Sequence, residues 1–140
     1  MVLTLVPING GKVKNFQLVG DGGSYDNVKC IFKQGTWVNN KLNGTDARVT
    51  NYLSATVNIR QGVYQNGVEN GIVLEYVFPK TSWDEFITNP EAGIDSTRYT
   101  QTFSAGVWVS TSETLTEKKI KGLISLNSAG NIEGFTFSEV

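Results

Sequence analysis

The chain has 140 residues, 39% hydrophobic and 18% charged, which is long and apolar enough for one domain with its own core. This balance excludes a disordered protein, and the net charge of −1 excludes a protein that binds nucleic acid by charge alone. The chain contains no histidine, the commonest general base and metal ligand, and Cys30 has no second cysteine to pair with. We therefore expect no enzyme, no cofactor, no metal site and no intramolecular disulfide.

Positive charge is concentrated in the first half of the chain. Residues 1–70 carry seven basic and four acidic side chains, whereas residues 71–140 carry five and nine. The N-terminal stretch MVLTLVPI lacks the positive region of a signal peptide, and Glu75 interrupts the longest apolar stretch, IVLEYVF. We therefore expect a basic face built from the first half, no signal peptide and no membrane span.

Strand signals dominate the first 110 residues. VLTLVPI and KVKNFQLV flank Asn9-Gly10, a strong two-residue turn signal, which predicts an N-terminal hairpin over residues 1–20. Apolar and alternating segments, including VKCIFK and IVLEYVFPK, predict a main antiparallel sheet over residues 26–110. Residues 81–95 include Pro90 and several carboxylates without a clear period, so we expect a long solvated loop there.

The apolar period changes after the last predicted strand. Ile120, Leu123 and Ile124 are at helical spacing, and Thr114 with Glu117 forms a capping box. This pattern predicts a helix over residues 114–129, followed by an extended tail over residues 131–140. One such helix is too small to cover the sheet, so the sheet either curls into a barrel or is covered by a second chain.

The stretch TVNIRQG, residues 56–62, alternates most clearly. Val57 and Ile59 point to one face, and Thr56, Asn58 and Arg60 point to the other. An ordinary solvated sheet face would explain this polar row. A hydroxyl, an amide and a guanidinium in succession are nevertheless an unusual set for a plain solvent face.

Several segments resemble, in order, the coat proteins of single-stranded RNA bacteriophages, the leviviruses. Residues 58–61, NIRQ, stand where that family carries S-x-R-Q, and residues 78–80, FPK, stand where it carries V-P-K. Residues 98–101, RYTQ, and residues 110–113, STSE, follow in the family's order and lead into its helical part. The resemblance covers residues 47–126 and, loosely, the N-terminal hairpin; the tail IEGFTFSEV departs from it.

The resemblance implies a single α+β coat-protein domain over residues 1–140. It would consist of an N-terminal β-hairpin, a five-stranded antiparallel sheet and a C-terminal helical segment. Two chains would pair edge to edge into a ten-stranded sheet, and these homodimers would build an icosahedral shell of T=3 symmetry around the genomic single-stranded RNA. The protein would lie in the virion and, during assembly, in the bacterial host cytoplasm.

The resemblance also implies an RNA site, which in the family binds a hairpin and represses translation. Such sites combine phosphate contacts with pockets for unpaired bases. The RNA-binding residues implied here are Thr56, Asn58, Arg60, Arg98, Thr100, Lys29 and Lys33. Glu75 departs from the family, and its repulsion of phosphate implies either weak binding or a different RNA hairpin.

A different class of protein also fits the residues. A small β-barrel that binds a ligand such as a carbohydrate would have a similar strand-rich chain. Its site could be lined by Trp37, Trp83 and Trp108, although core positions explain these residues more simply.

Overall fold

The computed structural model describes the backbone of residues 3–7, 12–14 and 17–140, and the side chains from residue 20 onward. Strands dominate this part of the chain. They are β1 Leu3–Pro7, β2 Lys12–Lys14, β3 Gln17–Asp26, β4 Ile31–Val38, β5 Lys41–Leu42, β6 Gly44–Asn51, β7 Thr56–Gln65, β8 Val68–Pro79, β9 Ile94–Ser104, β10 Val107–Leu126 and β11 Ile132–Glu139. Helix α1, Lys80–Thr88, and a 3-10 turn, Pro90–Ala92, separate β8 from β9.

The strands form one antiparallel sheet in the order β1-β3-β4-β6-β7-β8-β9-β10-β11, with β2 paired to β3 and β5 paired to β4. The sheet curls into a nearly closed barrel. Side chains join its two ends. The Asn27 amide donates to the Ile132 carbonyl at 3.0 Å, and the Gln34 amide donates to the Phe135 carbonyl. The barrel thus brings the last strand, β11, against β3 and β4.

Helix α1 closes one end of this barrel with aromatic side chains. Trp83 and Phe86 are its buried residues, and Trp83 is fully buried. The Trp83 ring lies 5.1 Å from the Tyr52 ring and 5.5 Å from the Phe135 ring, centroid to centroid. The main core therefore sits inside the barrel, at the end that α1 covers.

A second, smaller apolar cluster packs on the outer face of the sheet. It contains Trp37, Leu42, Ala47 and Tyr64, all buried, and Val49 packs against it. Gly35 allows its close packing, since a Cβ there would lie 3.1 Å from the Ala47 Cα at a backbone φ of +143°. The outer face is therefore partly structural and not uniformly open to solvent.

The predicted helix over residues 114–129 is wrong, because this segment belongs mainly to β10. Ile120 pairs with both Ile94 and Glu139, and Ile124 pairs with Phe135. Apolar residues four positions apart share a face in a strand as well as in a helix, so the pattern was ambiguous. Leu123, which the helical pattern assigned to the buried face, is 63% exposed.

The predicted α+β class with its N-terminal hairpin and five-stranded sheet is also wrong. β1 pairs with residues 22–26 of β3, and β2 pairs with residues 17–19, so β1 and β2 do not pair with each other. The Asn9-Gly10 turn lies outside the described residues. One chain supplies eleven strands to a single curled sheet, so the five-stranded half of the expected ten-stranded dimer sheet is not present.

The segment 81–95 was expected to be a solvated loop, and this expectation is wrong as well. Its first half is α1, which begins right after Pro79 and buries Trp83 and Phe86. The tail over residues 131–140, by contrast, was expected to be extended and contains strand β11. Within the described residues, the structure has no helix of the length and apolar character needed to cross a membrane.

Candidate functional site

The polar row of β7 lies on the outer face of the barrel. Val57 and Ile59 are fully buried in the main core, so the alternation places Thr56, Asn58 and Arg60 on the opposite side. Thr56 is exposed, and Asn58 and Arg60 are half-buried. The sequence-based division of this strand into a core side and a polar side is therefore confirmed.

Two carboxylates hold the Arg60 guanidinium. Its Nε lies 2.7 Å from Glu75 Oε2, and its Nη1 lies 3.0 Å from Glu69 Oε1. Glu75 is only 8% exposed, because it sits directly across from Arg60 in the β7–β8 register. Tyr64 also donates its hydroxyl to Glu69 Oε1, at 3.3 Å. Arg60 is thus part of a structural network on this face.

The electrostatics of this network favour the ion pairs that are already formed. Burial lowers the pKa of Arg60, but hydrogen bonds and charges from Glu75 and Glu69 outweigh it, so the pKa is raised. Burial, together with Glu69, raises the pKa of Tyr64. With two carboxylates for one guanidinium, the network carries a net negative charge. A phosphate would have to compete with these carboxylates for Arg60.

Two further side chains share the outer face with Arg60. The register runs from Lys33 through Val49, Arg60 and Glu75 to Tyr99, and directly opposed residues of neighbouring strands point to the same side. Lys33 is exposed, and Tyr99 is half-buried. Tyr99 was not assigned to the site from the sequence, because its side depends on a strand register that the sequence does not reveal.

Arg98 and Thr100 lie on the other face of the sheet. Arg98 pairs with Tyr76, a core residue, and Thr100 pairs with Leu74. The Arg98 guanidinium lies 2.8 Å from Glu139 Oε2 and 2.8 Å from Glu113 Oε1. The structure therefore separates these two predicted residues from Thr56, Asn58 and Arg60.

The Arg98 cluster is itself a tight polar group. The Tyr76 hydroxyl donates to Glu139 Oε2 at 2.8 Å. Burial raises the pKa of Glu139, but hydrogen bonds from Tyr76 and Arg98 outweigh it and hold that pKa below its usual value. Burial and the hydrogen bond to Glu139 raise the pKa of Tyr76 to about 12. This group joins β11 to the sheet, and we assign it a structural role.

Lys29, the remaining predicted residue, lies in the turn between β3 and β4. Its backbone N–H donates to Asp26 Oδ1 at 2.9 Å, and its side chain is exposed. Lys29 is therefore placed by a turn at one end of the barrel rather than by the sheet face that carries Lys33.

One edge of β10 is open along most of its length. Residues 107–120 of this strand pair with β9, but β11 pairs only with residues 120–126. The other edge of residues 107–118 has no backbone partner among the described strands, and at Lys119 the carbonyl accepts from the Val140 N–H at 2.9 Å. Val107, Trp108 and Val109 at its start are 65%, 55% and 54% exposed. Exposed backbone donors and acceptors beside apolar side chains favour addition of another strand.

The described residues do not group metal-binding side chains. They contain no cluster of three or more histidine, cysteine, aspartate or glutamate side chains that could hold a metal ion. The outer face instead offers hydroxyl, amide, ammonium and phenol groups, which suit hydrogen bonding and stacking. No family model, no curated protein and no solved structure matches the chain.

Proposed function

We propose that this protein is a structural subunit that associates with copies of itself into an icosahedral shell around single-stranded RNA. The open edge of β10, residues 107–118, is the observation that carries this proposal. Charged side chains and bulges protect natural edges, and β10 has both beyond Trp108, but its first three residues are exposed and apolar and favour a contact with another chain. The shell and its RNA content are proposed from the order of the levivirus-like segments alone, since the fold that this resemblance implied is not the one observed.

Self-association at this edge differs from the dimer that the resemblance implied. The barrel covers its own core, so a partner is needed to complete the sheet edge and not to cover the sheet face. Strand addition would satisfy the free backbone groups of β10 and remove Val107, Trp108 and Val109 from water. In the single chain these three side chains are exposed, so their burial would stabilise only the associated form.

RNA would lie against the outer face that carries Thr56, Asn58, Lys33 and Tyr99. Hydroxyl and amide groups can bond base edges, and a tyrosine ring can stack on an unpaired base. Because two carboxylates occupy Arg60, Lys33 is the main cation left for phosphate on this face. We therefore expect RNA binding that is weak and depends only slightly on salt, with a slope of about one phosphate contact.

The test of assembly is the size and nucleic-acid content of the purified protein. We expect particles far larger than the 15.3 kDa chain, with the ultraviolet absorption of bound RNA. Trp108→Lys should prevent assembly by placing a charge beside the open edge, whereas Leu53→Lys, at an equally exposed apolar residue in a turn, should not. A nucleic-acid-free 15.3 kDa monomer would contradict the proposal.

The test of the RNA face compares the same substitution on opposite faces. Thr56→Ala, on the outer face, should weaken binding of RNA recovered from the particles by several-fold without changing its salt slope, because no charge is lost. Thr100→Ala, on the inner face, should leave binding unchanged. Equal affinities of both variants and the parent would show that the outer face does not contact RNA.

A further inference from the structure

The inner face of the barrel becomes polar beyond the end that α1 covers. The register places Gln34, Arg48 and Gln61 side by side on β4, β6 and β7, on the same face as the core residue Ile59. Charged side chains are rarely placed inside a barrel unless they are paired. The environment of Arg48 therefore indicates whether this end of the barrel could bind a ligand.

The Arg48 side chain makes no ion pair and no hydrogen bond with the described residues. Its guanidinium carbon lies 4.4 Å from the centre of the Phe137 ring, and its Nε is buried without a hydrogen-bond partner. Burial lowers the pKa of Arg48, and the charge of Asp46 offsets this only in part. Arg48 is half-buried, and of its guanidinium nitrogens Nε alone is both buried and without a partner within the described residues, so the others can donate to a group in the space beside them.

A cleft of about 390 Å³ opens at this position, and Asp21, Gln34, Thr36, Asp46 and Arg48 line it. Asp21 Oδ1 accepts from the Thr36 hydroxyl at 2.7 Å, and Asp46 Oδ1 accepts from the Gln61 amide at 2.9 Å. These bonds fix the two carboxylates and leave each with further acceptor capacity. The cleft is within the size range of small-ligand pockets.

Gln34 adds a second unpartnered group. It is only 6% exposed, and its amide nitrogen donates to the Tyr25 hydroxyl at 2.8 Å. Its Oε1 is buried and has no hydrogen-bond partner. The lining of the cleft therefore includes a buried amide oxygen without a donor and a half-buried guanidinium that makes no ion pair with a described residue.

The charges of the cleft select among ligands. Two carboxylates and one guanidinium give it a net negative charge, which disfavours phosphate and other anions. A hydroxyl group can donate to a carboxylate and accept from a guanidinium at the same time. We propose that this cleft binds a neutral polyhydroxylated molecule of the carbohydrate class, with Arg48, Asp21 and Asp46 as its principal contacts. This site is independent of the proposed assembly and RNA-binding function.

The experiment is calorimetric titration of the full chain with glucose, galactose, mannose and N-acetylglucosamine, and with inorganic phosphate as the anionic comparison. We expect at least one saccharide to bind and phosphate not to bind. Asp46→Asn and Arg48→Met should each weaken saccharide binding at least ten-fold. Lys33→Met, on the outer face, should leave it unchanged. Asp46 is exposed, so its variant should fold even if the Arg48 variant does not.

Thermal unfolding of Arg48→Met without saccharide supplies a second readout. The Arg48 side chain is half-buried and stacks on the Phe137 ring, and Met can keep an apolar contact there, so the melting temperature should stay within a few degrees of the parent's and show that lost binding is not lost folding. The proposal is overturned if none of the four saccharides binds, if phosphate binds in their place, or if Asp46→Asn binds saccharide as tightly as the parent.

Discussion

For Arg60, the sequence predicts the side of the strand on which it lies but not the residues that it contacts. Its side of β7 could be predicted because alternation is a local property, and Val57 and Ile59 are indeed fully buried. Its partners could not be predicted, because Glu75 reaches it only through the β7–β8 register and Glu69 only through the hairpin. The residue singled out as an RNA contact is thus also a structural ion-pair partner.

This arrangement predicts that Arg60 contributes to stability. Arg60→Met should lower the free energy of unfolding by about 1–3 kcal/mol, because it leaves the buried Glu75 carboxylate without its main partner. Lys33→Met, on the same face without an ion pair among the described residues, should change it by less than about 0.5 kcal/mol. Chemical denaturation of both variants measures the difference. Equal effects would mean that the Arg60 ion pairs are not formed in solution.

Glu139 gives the chain a predictable response to acid. Hydrogen bonds from Tyr76 and Arg98 outweigh burial and lower the pKa of Glu139 from 4.5, so its carboxylate stabilises the fold above that pH. This stability is lost as the pH falls through the lower pKa of the folded state. The parent should therefore unfold more easily as the pH drops below 4.5, and Glu139→Gln should show a weaker dependence. Identical pH profiles in denaturation experiments would refute this role.

At the scale of elements, β10 shows why local pattern misled. Ile120 and Ile124 fit a helix and a strand equally well, and the Thr114–Glu117 capping pair fits only a helix. Strand pairing with β9 and β11 decides the outcome, because β11 brings Phe135 and Phe137 into the core. The sequence of residues 107–126 alone does not indicate this long-range pairing.

Gly122 distinguishes the strand from the predicted helix. In an exposed helix interior, Gly122→Ala would stabilise by about 1 kcal/mol. In β10 the added Cβ would collide with the Thr136 carbonyl oxygen and lie 3.0 Å from the Phe86 ring, so we expect destabilisation of about 1–3 kcal/mol. Gly44→Ala, whose Cβ would lie 3.6 Å from the Thr36 Cβ, should be nearly neutral. A stabilised Gly122→Ala variant, measured by thermal unfolding, would favour the helix.

At the scale of the whole molecule, the sequence left two ways of covering the sheet, and the structure has the barrel. The strand-rich composition was readable from the glycines and the alternating segments. Closure of the sheet into a barrel could not be predicted, because it depends on contacts such as those between Asn27 and Ile132, 105 positions apart. Since the barrel covers its own core, we expect a folded monomer that can associate, rather than a chain that folds only as a dimer.

Amide hydrogen exchange along β10, compared between assembled and dilute protein, tests most directly whether copies of the chain join at this edge. The amides of residues 107–118 that do not bond to β9 should exchange rapidly in the dilute monomer and become protected on assembly. The amides of β7, inside the sheet, should be protected in both states. Rapid exchange along the free edge of β10 in assembled particles would contradict self-association through this strand.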